Sequence, residues 1–272
     1  MIGMTVLQAI ILGIVQGLTE LLPVSSSAHL VIVQSYMTGF KQPGVLFDAV
    51  LHLGTLFSVI YFFRKDIVSL TVSILPGLSR HAIPEEQRKA CRKVVGLILI
   101  STAVTVVIGF VFKERIEILF SSVTVAASML FVTGFLLFFS DWKKHVEKNE
   151  ENLSATGAAA IGLIQAVALV PGISRSGSTI VCGIFLGLKR EAAARYSFLL
   201  SIPAVMGAVT LQAPHFSAVT PGELVSYALG FTAAAITGFF SLHLLYYVIR
   251  RAKLRFFAYY CWLVGGAVLL SL

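Results

Sequence analysis

Residues Gly13–His29 read GIVQGLTELLPVSSSAH, an apolar helical pattern that carries Gln16 and Glu20 four residues apart and then breaks at Pro23 into three serines and a histidine. Proline removes a backbone donor and stops the helix before it, and serine is a good cap for the helix after it. A second apolar stretch breaks the same way, at Pro171-Gly172-Ile173-Ser174-Arg175-Ser176. In the stretches 4–37 and 155–188 each half is shorter than the roughly 20 apolar residues that a membrane crossing needs, so each is predicted to be a re-entrant helix hairpin. Irregular backbone at membrane depth is stable only when buried in protein or lining a wet cavity. Two hairpin tips facing one another satisfy that condition most economically.

Working outward, the chain of 272 residues is 57% hydrophobic and 12% charged, where soluble domains carry about 25% charged residues. Six further stretches, near 45–64, 94–112, 122–140, 196–211, 223–248 and 256–272, are apolar enough to span. The expected architecture is all-α: one integral membrane domain over 1–272, with six spanning helices plus two re-entrant hairpins. Cys91, Cys182 and Cys261 lack metal or disulfide spacing and read as small apolar residues. The first residues lack a basic n-region and cleavage site, so the N-terminus is expected to be retained.

The basic residues test this topology. If both hairpins return to their starting side, 17 of the 21 Lys and Arg fall on one side, in the groups Arg64 to Lys93, Lys143 to Lys148, Lys189 to Arg195 and Arg250 to Arg255. The other side receives Lys41, Lys113 and Arg115, and Arg175 lies within the second hairpin. This bias assigns the rich side to the cytoplasm and both termini to the outside. It also explains the net charge of +8 without nucleic acid, for which no aromatic-interleaved basic patch exists.

The two halves share a register. Gly13, Gln16, Ser25 and Phe47 align with Gly162, Gln165, Ser174 and Tyr196 at a constant offset. Repeat one covers about 1–140 and repeat two about 155–272, each a hairpin and three spans, so the second copy is inverted.

Glu20 is the informative residue of the first hairpin, because a carboxylate inside a membrane is costly and a functional candidate by default. Arg175 answers it in the second, since a buried guanidinium demands an anionic partner, either Glu20 or a phosphate whose oxygens suit its planar fork. Gly172 and Gly177 permit close backbone approach, and helices starting near Ser26 and Ser176 aim free N–H groups at the breaks. Ser25, Ser27, Ser174, Ser176, Gly177 and Thr179 are the candidate phosphate-binding residues, with Glu20, Ser26, His29 and Arg175 as the catalytic group. Phosphoryl transfer is mostly positioning and stabilisation of oxygen charge. Ser26 activated by His29, His29 attacking directly, or His29 activating water all fit these residues. Glu20 with Gln16 offers oxygen ligands for Mg²⁺ or Ca²⁺. Asp48 and His52, also four apart, read as supporting partners of the site or of each other, while Lys41, Asp66 and Glu85–Lys89 read as solvated loop charges. A lipid-phosphate transporter or flippase is the main rival, because broken helices in inverted repeats are typical of transporters; a channel leaves Arg175 and the serines without a task.

These motifs closely resemble the undecaprenyl-diphosphate phosphatase family, also called the bacitracin-resistance protein family, over nearly the whole chain. The likeness rests on QGLTELLPVSSSAH (Gln16 to His29) and PGISRSGSTI (Pro171 to Ile180), with FDAVLHLGTL and YSFLLSIPAVMGA as further family-like segments. The resemblance implies removal of one phosphate from undecaprenyl diphosphate in the bacterial plasma (inner) membrane. The monophosphate carrier then returns to cell-wall synthesis. It implies ten helical segments including two re-entrant pairs, places the family's histidine, hydroxyl and phosphate-binding arginine on His29, Ser26 and Arg175, and implies a homodimer. Glutamine at position 16, where the family takes Glu or Gln, weakens a two-carboxylate metal site.

Overall fold

The computed structural model describes residues 4–40, 45–75, 84–142, 148–251 and 253–272. Among them are twelve α-helices: α1 (Val6–Leu21), α2 (Ser26–Tyr36), α3 (Val45–Phe62), α4 (Arg64–Ile74), α5 (Glu85–Val111), α6 (Lys113–Leu119), α7 (Val123–Ser140), α8 (Ala155–Val167), α9 (Arg175–Phe185), α10 (Arg190–Gln212), α11 (Pro221–Arg251) and α12 (Arg255–Ser271). α5, α7, α10 and α11 are each long and apolar enough to cross a membrane, and α3 with α4 forms a fifth candidate bent by 79°. The protein is an all-α, multi-pass membrane protein.

Both breaks produce hairpins. α1 packs on α2 and α8 on α9, and each pair brings its start back to its end. The Gln8 side chain donates to the Thr38 carbonyl at 3.4 Å, and Lys148 bridges to Leu188 just beyond α9. Tyr36 and Ser271 hydroxyls, 2.6 Å apart, set the end of α12 beside the end of α2. The opposite end of the molecule is tied by charge. Arg190 pairs with Asp141 at 2.6 Å, and Arg195 reaches both Asp66 at 2.7 Å and Glu150 at 2.9 Å.

Small residues set the helix packing. α1 lies along α11 and α8 along α5, α3 contacts both α10 and α11, and α12 packs on α7. Gly13 meets the backbone of Gly230, and Gly162 that of Ser101. Such contacts let helices approach when apolar lipid gives little driving force between them. Phe47 and Tyr196, at the same place in the two halves, are among the largest fully buried side chains.

Two expectations about loops are corrected. Asp66 sits in the first turn of α4, ion-paired with Arg195. Glu85–Lys89 forms the start of α5, where Glu85 and Glu86 suit the positive helix end and Glu85 pairs with Lys89 one turn on. At 27 residues α5 is roughly 40 Å long, longer than the hydrocarbon layer, so its charged turns project beyond it. Lys41, Arg80 and the lysines at 143 and 144 lie outside the described residues.

Candidate active site

The two tips touch. The Ser176 hydroxyl lies 3.4 Å from the Glu20 carbonyl oxygen and 3.3 Å from that of Leu22, and the Gly172 N–H donates to Ser27 Oγ at 3.4 Å. Gly172 needs its φ of +101° to make this turn, and a Cβ there would strike Ala126 and Met129. Thr133 of α7 fixes the second tip, donating to the Gly172 carbonyl at 2.7 Å and accepting from the Ser174 N–H at 2.9 Å.

This contact brings Glu20 and Arg175 together across 155 residues of sequence. Arg175 Nη2 lies 2.5 Å from Glu20 Oε1, with side chains 17% and 8% exposed. The second carboxylate oxygen accepts from Ser26 Oγ and, at 3.3 Å, from Gln16 Nε2. Gln16 Nε2 also stands 2.9 Å from His52 Nδ1, and His52 Nδ1 is 3.5 Å from Glu20 Oε2. An amide donor at Nδ1 fits an imidazole carrying its proton on Nε2. One carboxylate therefore gathers a guanidinium, a hydroxyl, an amide and an imidazole. Arg175 Nη1 and Gln16 Oε1 are buried without a protein partner.

The helix starts differ. Ser174 caps α9, accepting from the Gly177 N–H at 3.0 Å. Ser25 makes no side-chain cap on α2, so first-turn amides remain available there. Ser25 is the only non-glycine residue with positive φ among the described residues, at 68°, a conformation that costs of order 1–3 kcal/mol and clusters at functional sites.

The other candidates are distributed as follows. Ser25 and Ser27 hydroxyls are 3.2 Å apart, and Ser174 and Ser176 hydroxyls 3.3 Å apart. The Thr179 hydroxyl turns to Ser197 at 2.6 Å and to the Arg175 carbonyl at 2.8 Å. His29 does not hydrogen-bond Ser26; its ring nitrogens meet the Ser25 carbonyl at 2.7 Å and the Tyr260 hydroxyl at 2.9 Å. Asp48 accepts from Gln34 at 3.2 Å. His52, which sequence reasoning offered as a supporting partner of the site, stands 3.5 Å from Glu20. No local signal pointed to Thr133, a lone hydroxyl in its apolar run, or to Tyr260, one of two adjacent tyrosines.

The model of the bacitracin resistance protein BacA family matches residues 9–267. The chain belongs to that family. Among BacA relatives, the undecaprenyl-diphosphatase of Syntrophotalea carbinolica is 43% identical over 97% of both chains. That of Methanobrevibacter smithii is 40% identical over 98% of both, and that of Halothermothrix orenii 38% identical over 98% of both. The BacA match covers both helix breaks, and with them every residue gathered around Glu20.

Proposed function

We propose that this chain hydrolyses undecaprenyl diphosphate to undecaprenyl phosphate and inorganic phosphate, recycling the lipid carrier and conferring bacitracin resistance. The observation that carries the reading is the contact of Arg175 with one Glu20 oxygen while Ser26 donates to the other. Arg175 Nη1 has a donor to spare for a phosphate oxygen, and the uncapped start of α2 adds backbone N–H groups beside it. Ser26 Oγ attacks the terminal phosphorus as its proton passes to Glu20, and the lipid monophosphate leaves with the electrons of the broken P–O bond. Water then takes the phosphoryl group from the serine. His29, one turn along α2 on the same face as Ser26, is the proton acceptor for that water.

A divalent cation, Mg²⁺ or Ca²⁺, belongs to this reading as a companion of the diphosphate. Glu20 and the Gln16 Oε1 are the oxygen ligands the chain offers, and among the described residues no cluster of three His, Cys, Asp or Glu could hold a metal. Glu20 and Gln16 would hold such an ion together with oxygens of the diphosphate and water, and it would supply charge neutralisation on the phosphates.

The site faces outward in this proposal, with both termini outside and the basic end in the cytoplasm of a bacterial inner membrane; the charge bias supports it. The helix pairings support two inverted repeats, because exchanging α1 with α8, α3 with α10, α5 with α11 and α7 with α12 maps α1–α11 onto α8–α5 and leaves α3–α10 and α7–α12 paired. That same symmetry favours the rival reading, a lipid-phosphate transporter or flippase. A homodimer is carried over from the family resemblance.

Phosphate release from undecaprenyl diphosphate by the purified full chain, with and without chelator, tests the reaction. Release that chelator suppresses is expected; no release, with lipid phosphate crossing vesicle bilayers instead, selects the transporter. A single cysteine at Thr38, an exposed residue after α2, in a chain cleared of its own cysteines should react with an impermeant reagent from outside only. Labelling only from the cytoplasmic side defeats the orientation.

A further inference from the structure

His29 has both ring nitrogens occupied, and neither partner belongs to the Glu20 cluster. Nδ1 is 2.7 Å from the Ser25 carbonyl oxygen. A carbonyl can only accept, so Nδ1 carries the ring proton and Nε2 presents the lone pair. The strained turn at Ser25 aims that carbonyl, which also accepts the His29 backbone N–H at 3.3 Å. The Nε2 lone pair meets the Tyr260 hydroxyl at 2.9 Å, and the two rings lie parallel, 5.6 Å apart between centroids and 5° between planes. Tyr260 comes from α12, 231 residues along the chain, and is 43% exposed where His29 is 8% exposed. The only proton-accepting point of the imidazole is thus covered by the hydroxyl of a residue that is itself partly exposed.

We propose that Tyr260 is the relay through which His29 exchanges its proton during hydrolysis. The proposal rests on the hydrolase reading above. A hydroxyl donates to the neutral imidazole and, after rotating its O–H, accepts from the imidazolium, so it partners both states without moving heavy atoms. In the water step, the attacking oxygen forms its bond to phosphorus as its proton passes to the Tyr260 oxygen. The Tyr260 proton passes at the same time to His29 Nε2, and the phosphoryl–serine bond breaks toward the serine oxygen, which takes back the proton held by Glu20. Ser25 holds Nδ1–H throughout and so stabilises the imidazolium. Tyr260 acts through His29, which separates it from a residue that merely packs.

The test uses full-length Tyr260→Phe, His29→Gln and the double variant in detergent, with phosphate release from undecaprenyl diphosphate as one readout. Tyr260→Phe is expected to lower kcat about a hundredfold, to leave KM within about twofold, and to add nothing to His29→Gln, as for residues acting as a unit. A second readout needs no turnover. Diethyl pyrocarbonate should label His29 about fivefold faster in Tyr260→Phe, since the lone pair loses its donor, with labelled peptide measured by mass spectrometry. Unchanged kcat, a rise in KM alone, losses that multiply in the double variant, or His29 labelling at the wild-type rate each overturns the relay. Wild-type protein that releases no phosphate overturns the hydrolase reading and the relay with it; active wild type beside unaffected Tyr260→Phe overturns the relay alone.

Discussion

Replacing Glu20 with glutamine removes one charge and almost no volume, and separates what the carboxylate does for Arg175 from what it does for Ser26. In the resting protein the guanidinium rests 2.5 Å from Glu20 in surroundings that leave both side chains under one-fifth exposed. Breaking a buried pair by removing one partner costs about 3–5 kcal/mol, so Glu20→Gln should melt at a lower temperature in phosphate-free detergent buffer. A phosphate ion entering the wild-type site competes with Glu20 for that guanidinium. In the variant it has no competitor, and one charge-assisted hydrogen bond is worth about 1.5–3 kcal/mol. Taking about 2 kcal/mol, phosphate should bind roughly 30-fold more tightly to Glu20→Gln than to wild type. At a hundred times its Kd, phosphate then returns about 2.7 kcal/mol of stability, much of what the substitution removed. Turnover moves the other way, falling at least about a hundredfold as the proton acceptor of Ser26 disappears. Thermal unfolding against phosphate concentration, with chloride at matched ionic strength as control, reads the first effect; phosphate release reads the second. The reasoning fails if Glu20→Gln turns over normally, or if phosphate stabilises it no more than it stabilises wild type.

Gly162→Val drives a side chain into the Ser101 backbone and should cost about 1–3 kcal/mol, seen as a lower apparent unfolding temperature with α5 and α8 forced apart. Thr133→Val strands the Gly172 carbonyl and the Ser174 N–H, each worth about 1–3 kcal/mol when left unpaired; both stability and phosphate release should fall, although Thr133 touches neither Glu20 nor Arg175 through a hydrogen bond. Arg195→Met leaves the Glu150 carboxylate, 6% exposed, without its guanidinium. Because Arg195 itself is 41% exposed, screening reduces the expected loss to about 2 kcal/mol, and phosphate release at low temperature should persist.

What could be read from sequence was what costs most to bury. Glu20 and Arg175 stood out because a charge in an apolar helix demands an answer, and Glu20 was a protein answer to Arg175. The breaks at Pro23 and Pro171 were legible because proline acts locally, through a missing donor and a fixed φ. Small hydroxyls were not legible in the same way. Ser174 caps a helix, Ser176 ties the tips and Thr179 turns to Ser197, yet all three read equally well as phosphate ligands, since serine and threonine donate and accept wherever geometry allows. Tyr260 and Thr133 do their work across 231 and about 40 residues of chain, and no local pattern encodes such a pairing. The extension of α5 to Glu85 was missed because hydropathy marks where lipid ends, whereas a helix continues for as long as its dipole and its i, i+4 ion pairs support it.

The resting arrangement bears on how a site inside a membrane can wait for a highly charged substrate. An unaccompanied guanidinium or carboxylate at that depth is costly, and the site meets that cost by pairing the two groups that the proposed reaction must use separately. In the proposed reaction a lipid diphosphate would offer an anion to Arg175 Nη1, which has no protein partner, and would compete with Glu20 for Nη2. Glu20 is then left with Ser26, Gln16 and His52 as its neighbours, of which the Ser26 hydroxyl alone has a proton to give in the reaction. Substrate binding and readiness of the base thus become one event.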